Sequence, residues 1–142
     1  MLTRNNIRLT LAGARAVLAA AEQKARDMGV PQNIAVVDES GYLLAFARMD
    51  GVKLSSIEVA LKKAKAAALR RVPTGPSPRS EPTVYQSLGL AVATGGVLLP
   101  VRGGLPLVVE GQCVGAIGIS GGTEDEDVAV AQAGADALSK LS

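Results

Sequence analysis

Lys63, Asp50 and Glu58 are the residues of this chain with the chemistry to move a proton, and Arg48 with the Gly103-Gly104 turn could hold an anionic or polar ligand. Arg48 and Asp50 stand in Ala47-Arg48-Met49-Asp50-Gly51, between an expected strand and an expected helix. Sites are often built where a rigid element hands over to a loop, although an exposed ion pair is an equally ordinary occupant of such a position. Glu58 precedes Lys62 by four residues on that helix, so Lys62 reads as one side of a solvated, paired face. Lys63 turns toward the Ala-rich face, where desolvation disfavours an ammonium and would make the amine a useful base. Ser120-Gly121-Gly122-Thr123 opens onto a helix N-terminus, a natural anion site, but Glu124, Asp125, Glu126 and Asp127 already complement that dipole and repel an incoming anion. This turn therefore reads as a strand-to-helix connection. Neither a P-loop nor a dinucleotide fingerprint is present.

The absence of histidine from all 142 residues excludes His-ligated zinc or haem, a Ser-His-Asp triad and a Cys-His dyad, and no metal centre is expected. Cys113, the single cysteine, has no partner for an internal disulfide and sits in an apolar run, which reads as an inert buried thiol and a cytoplasmic setting. Met28 reads as core. The net charge is +2 with no basic stripe, and Tyr42, Phe46 and Tyr85 are the only aromatics, so nucleic acid is not an expected partner. Residues 83–101 carry no charge, but Gln86, Ser87, Thr94, Gly95-Gly96 and Pro100 interrupt them, so no membrane span is expected. The N-terminal segment lacks a signal-peptide apolar run.

The elements that must position these groups form one domain over residues 1–142. Leu11, Ala14, Leu18, Ala21, Ala25 and Met28 line one face of a first helix, with Thr10 as cap and Gly29 and Pro31 as stop. The apolar run 34–37, a turn at 38–41 and the run 42–47 read as a β-hairpin whose first strand is buried on both faces. A second helix follows, with Ser55 and Glu58 at capping-box spacing and Ile57, Leu61, Ala64 and Ala68 as its buried stripe; Pro73 ends it and a proline-rich loop fills 71–82. A short helix is expected near 84–90. Runs at 97–101, 105–109 and 113–119, joined by Gly103-Gly104 and Glu110-Gly111, predict a meander. Thr123 and Glu126 open a last helix that buries Val128, Ala131, Ala135 and Leu138. The expected fold is α+β, with helices packed on one antiparallel five-stranded sheet.

Four segments, 33–38, 44–51 (Leu44-Ala45-Phe46-Ala47-Arg48-Met49-Asp50-Gly51), 114–123 (Val114-Gly115-Ala116-Ile117-Gly118-Ile119-Ser120-Gly121-Gly122-Thr123) and 131–134, resemble the GlcG/HbpS family of haem-degrading or haem-binding domain proteins, from about Leu9 to Leu138. The resemblance implies a profilin-like α-β-α layering of a five-stranded sheet, assembled into dimers or larger homo-oligomers. Some members of the family bind haem and others are fused to corrinoid adenosyltransferases. The family's Lys-Ala pair falls on Lys63-Ala64, while Ala66 replaces its usual Thr and only the acid at Asp127 survives from the pattern after the Ser-Gly-Gly-Thr turn. Haem is disfavoured, because without His only Lys, Met, Tyr, Cys or a hydroxyl remains to ligate it. The leading expectation is a binder of a small organic ligand, tetrapyrrole-related or not, with its pocket near Arg48, Asp50, Lys63 and Gly103-Gly104. The alternatives are a cofactor-independent isomerase, lyase or hydrolase, with Arg48 orienting an anion and Asp50, Glu58 and Lys63 moving protons, and an oligomeric scaffold.

Overall fold

Thr10 opens the first helix by accepting a hydrogen bond at Oγ1 from the Gly13 amide at 3.0 Å, and Gly29, in left-handed backbone at φ 69°, closes it. The computed structural model describes residues 1–76 and 84–141. In chain order its elements are α1 (Leu11–Met28), β1 (Asn33–Asp38), β2 (Leu43–Arg48), α2 (Ser56–Arg70), α3 (Val84–Ala93), β3 (Gly104–Val109), β4 (Gln112–Ser120) and α4 (Glu124–Leu141). The strands run antiparallel in the order β2-β1-β4-β3.

Period-two alternation divides β1 between two cores, so that it is buried on both faces as expected. Ile34 and Val36 join Leu107, Val114, Ile117 and Ile119 beneath α1 and α4. Ala35 and Val37 point the other way, into a cluster with Ala60, Ala64, Ala67 and Ala68 of α2. Two helices thus cover one face of the sheet and α2 the other. The buried line of α1 is Ala14, Val17, Ala21 and Ala25, whose small side chains let it lie against α4, while Leu11 turns outward. On the opposite face α2 approaches even more closely: a Cβ on Gly118 of β4 would run into the Ala60 carbonyl and the Ala64 amide. That proximity lets a long side chain on α2 reach the strand ends.

Among the described residues the sheet has four strands, not the five expected. Residues 97–101 have the composition of a strand, but two of their backbone donors are already used and a third position has none. Val97 N donates to the Thr94 carbonyl at 3.3 Å and Leu98 N to Thr94 Oγ1 at 3.1 Å, both closing the end of α3, and Pro100 has no N–H. The short helix expected at 84–90 is formed and runs to Ala93. Ser55 caps nothing, because its backbone is already helical (φ −60°, ψ −23°) and the Ser56 and Ile57 amides donate to Lys53 and Leu54 carbonyls instead. The second capping box is present, with Thr123 N donating to Glu126 Oε1 at 2.8 Å and Glu126 N to Thr123 Oγ1 at 3.2 Å. The proline-rich loop falls partly at 77–83, outside the described residues. Among the described residues no helix is long and apolar enough to cross a membrane.

Candidate functional site

The register places Arg48, Asn33 and Ser120 side by side at one end of the sheet, where Ile119 N also donates to the Gly103 carbonyl at 2.9 Å. Lys63 reaches this end from α2. It is 1% exposed, and its Nζ donates to the Ile119 carbonyl at 2.8 Å and to Asp127 Oδ2 at 2.9 Å. Asp127 is equally enclosed, and its Oδ1 accepts from Gly122 N at 3.0 Å. Burial pushes the Asp127 carboxyl above its ordinary range, against the opposing pull of the Lys63 ammonium and the Gly122 amide. Gly103 lies over the ammonium with φ 126°, and a Cβ there would stand 2.7 Å from Lys63 Nζ. Gly104 is fixed next to it, donating to Thr74 Oγ1 at 2.9 Å.

Of the residues singled out in the sequence, then, Lys63, Gly103 and Gly104 come together, but as a closed cluster. Arg48, Asp50 and Glu58 are exposed, and among the described residues none of their side chains forms an ion pair or hydrogen bond. Lys62, expected to pair with Glu58, donates to the Gly95 carbonyl at 3.3 Å. The acids at the start of α4 are all engaged from within the chain: Glu124 accepts from Arg102 N at 3.2 Å, Asp125 pairs with the Arg102 guanidinium at 2.7 Å, Glu126 caps Thr123 and Asp127 holds Lys63. Among the described residues no group of three potential metal-ligating side chains occurs.

Sequence reasoning passed over Gln32 and Asn33. Both are fully buried at the start of β1. Asn33 Nδ2 donates to the Lys53 carbonyl at 3.2 Å, while Asn33 Oδ1 and both amide atoms of Gln32 complete no hydrogen bond. The Gln32 amide still lies near enough to Asp127 to help lower it. Two carboxamides after a proline look like turn residues, and only the pairing of β1 with two neighbours buries them.

An open space lies at the opposite end of the sheet, where both hairpins turn. A cavity of about 430 Å³ is lined there by Arg4, Ile7, Glu39, Arg71, Gln112 and Cys113, among others. Gln112 Oε1 accepts from Ile7 N at 3.0 Å and so ties the N-terminal segment across the cavity. Arg71 closes α2 in left-handed backbone at φ 62°, and its guanidinium donates to the Cys113 carbonyl at 3.2 Å. Cys113 is half-buried, and its thiol donates to the Gly115 carbonyl at 3.3 Å. No sequence pattern announces this constellation, because its members come from a terminal segment, two turns and a helix end.

The fold and these two sheet ends define an α+β domain, with an antiparallel sheet between helices, a sealed Lys-carboxylate pair at one end and an arginine-lined cavity at the other. The family model described as haem degrading protein HbpS-like matches residues 9–136, and the chain belongs to that family. Protein GlcG of Escherichia coli is 35% identical over 107 residues, 75% of this chain and 77% of GlcG. The crystal structure of the Klebsiella pneumoniae protein ORFY matches with a TM-score of 0.87 and 31% identity, covering 100% of this chain and 99% of the other. The PduOC:haem complex matches with a TM-score of 0.80 and 29% identity over 92% of this chain and 95% of the other.

Proposed function

We propose that this chain is a ligand-binding member of the HbpS-like family that takes a small organic anion in the cavity at the hairpin end of the sheet. The observation that carries this reading is the placing of two guanidiniums, Arg4 and Arg71, on the wall of one cavity of about 430 Å³. That volume is within the usual range of about 300–1,000 Å³ for small-molecule pockets. A guanidinium offers a planar fork of donors that suits a carboxylate, and Arg71 is held in place by its bond to Cys113 O. The enzyme alternative draws no support from the geometry, because the amine it needs as base is bonded to two acceptors beneath Gly103. Self-association belongs to the same reading, through the uncharged and largely exposed α3.

Haem, which PduOC carries in its complex, does not fit the residues present here. The chain has no histidine, Lys63 is enclosed, Met28 and Met49 pack against the core, and Tyr42 and Tyr85 stand exposed. Cys113 does line the cavity, yet Ile7 is the only large apolar side chain beside it, too little to cover the faces of a porphyrin.

Two titrations test the proposal. Haemin at micromolar concentration is expected to keep the absorbance spectrum of free haemin when the protein is added. Small carboxylates, screened by thermal denaturation, should include at least one that raises the melting temperature by about 10 °C at a hundredfold excess over its Kd, with the rise absent in Arg71→Gln. A Soret shift on mixing, or a carboxylate response that survives Arg71→Gln, would overturn it.

A further inference from the structure

Resting on that reading of the cavity, we infer that residues 1–8 form a strap that opens from it and closes on the bound anion. Arg71 is then the fixed half of the anion site, and Arg4 the half that arrives when the strap closes. Most of the cavity wall is built from the ends of rigid elements. Glu39 stands in the β1-β2 turn, Gly111, Gln112 and Cys113 in the β3-β4 turn and the start of β4, and Arg71 at the end of α2. The rest of the wall, from Arg4 to Ile7, belongs to a segment that is neither helix nor strand.

That segment is anchored at its far end and loosely held before it. Leu9 packs against the core and over Gly115, where a Cβ would stand 3.4 Å from Leu9 Cδ2, and Thr10 caps α1, so the backbone is fixed from Leu9 onward. Ahead of Leu9 the strap has the half-buried Ile7 side chain, the hydrogen bond from Ile7 N to Gln112 Oε1, and the ion pair of Arg8 with Glu39 at 3.4 Å, in which the Arg8 side chain is 72% exposed. An exposed ion pair adds little to stability, and a neutral hydrogen bond adds only modestly more. Residues 1–6 are exposed, and among the described residues none of them forms a hydrogen bond or ion pair. A segment with so few buried contacts opens at a free energy far below that of the whole fold. Arg71, by contrast, is held to the Cys113 carbonyl and waits in place. An anion seated on Arg71 meets the Arg4 guanidinium only while the strap is down, so it binds the closed form better and draws the strap shut.

Hydrogen exchange at the Ile7 amide of the full chain, resolved by NMR, reads the opening directly. Without ligand this amide should exchange roughly a hundredfold or more faster than the Ile117 amide in the middle of β4. Succinate, benzoate and citrate serve as probes, with their affinities taken from calorimetry. A probe that binds should slow Ile7 exchange about a hundredfold at a hundredfold excess over its Kd, and leave the Thr123 amide at the opposite end of the sheet unchanged. At the same probe concentration Arg4→Gln should lose the slowing, while its unliganded exchange rate and melting temperature stay those of the wild type. Ile7 exchange as slow as that of Ile117, a probe that binds without slowing it, or slowing that survives Arg4→Gln would overturn the strap and leave the anion reading intact. If none of the three probes binds, the anion reading falls and the strap with it.

Discussion

Lys63 of α2 and Asp127 of α4 meet at the end of β4, Nζ to Oδ2 at 2.9 Å, although their helices cover opposite faces of the sheet. The pair ties the two outer layers together at one end of the sheet. The α2 layer needs such a tie, since its core is almost entirely alanine, which buries little area per residue.

Removing either charge should therefore unfold the protein more easily than any surface change. Lys63→Met leaves a buried carboxylate without its counter-ion and is expected to cost about 3–5 kcal/mol, and Asp127→Asn is expected to destabilise as well, because its single amide oxygen can accept from Gly122 N or from Lys63 Nζ but its NH2 then faces the other donor. In urea denaturation of both single variants and the double variant, the losses should fall short of additivity by about 0.5–3 kcal/mol. Strictly additive losses would mean that the two residues act separately.

The raised Asp127 carboxyl gives the pH dependence a definite sign. A carboxyl whose folded-state pKa lies above its unfolded value binds more protons when folded, so its contribution to stability grows as the pH falls. The contribution is complete below the ordinary carboxylate range and absent above the folded-state pKa of Asp127. The difference in stability between wild type and Asp127→Asn should accordingly shift in favour of the wild type as the pH is lowered from neutrality into the ordinary carboxylate range. A difference that stays flat, or moves the other way, would mean that Lys63 and Gly122 outweigh desolvation at this carboxyl.

Much of this architecture could be read in the residues. The Thr10 and Gly29 signals bound α1, the Thr123-Glu126 box opens α4, and the unbroken apolar run of β1 announced a strand covered on both faces. Residues 97–101 misled because composition reports what a segment can bury, whereas a strand also needs free donors, and Thr94 had taken the first two. Lys63 stood out by its helical position, but its partner was hidden among four consecutive acids, one of which the capping box removes and only one of which turns toward the sheet. The arginine cavity left no trace in the sequence. Arg4 and Glu39 lie in segments with no periodicity, Arg71 and Cys113 at the ends of a helix and a strand read for their cores, and it takes the sheet to bring both hairpin turns to the same end as the first residues of the chain.

α3 gives the last prediction. Its sequence, VYQSLGLAVA, contains no charged residue. Tyr85, Leu88, Leu90 and Val92 are exposed on it, and the Lys62 ammonium anchors the turn that follows it through the Gly95 carbonyl. An uncharged helix with this much apolar surface in water is the kind of patch that marks an interface, and a second copy of the chain would cover it with an equivalent surface. Wild-type protein should therefore elute as a defined multiple of the 142-residue chain in size exclusion with light scattering. Leu88→Glu, at a position 60% exposed, should yield the single chain with an unchanged circular dichroism spectrum, because the substitution removes nothing from either core. A wild type that runs as a single chain, or a Leu88→Glu variant that keeps the wild-type mass, would place the covering of α3 elsewhere than on a second copy.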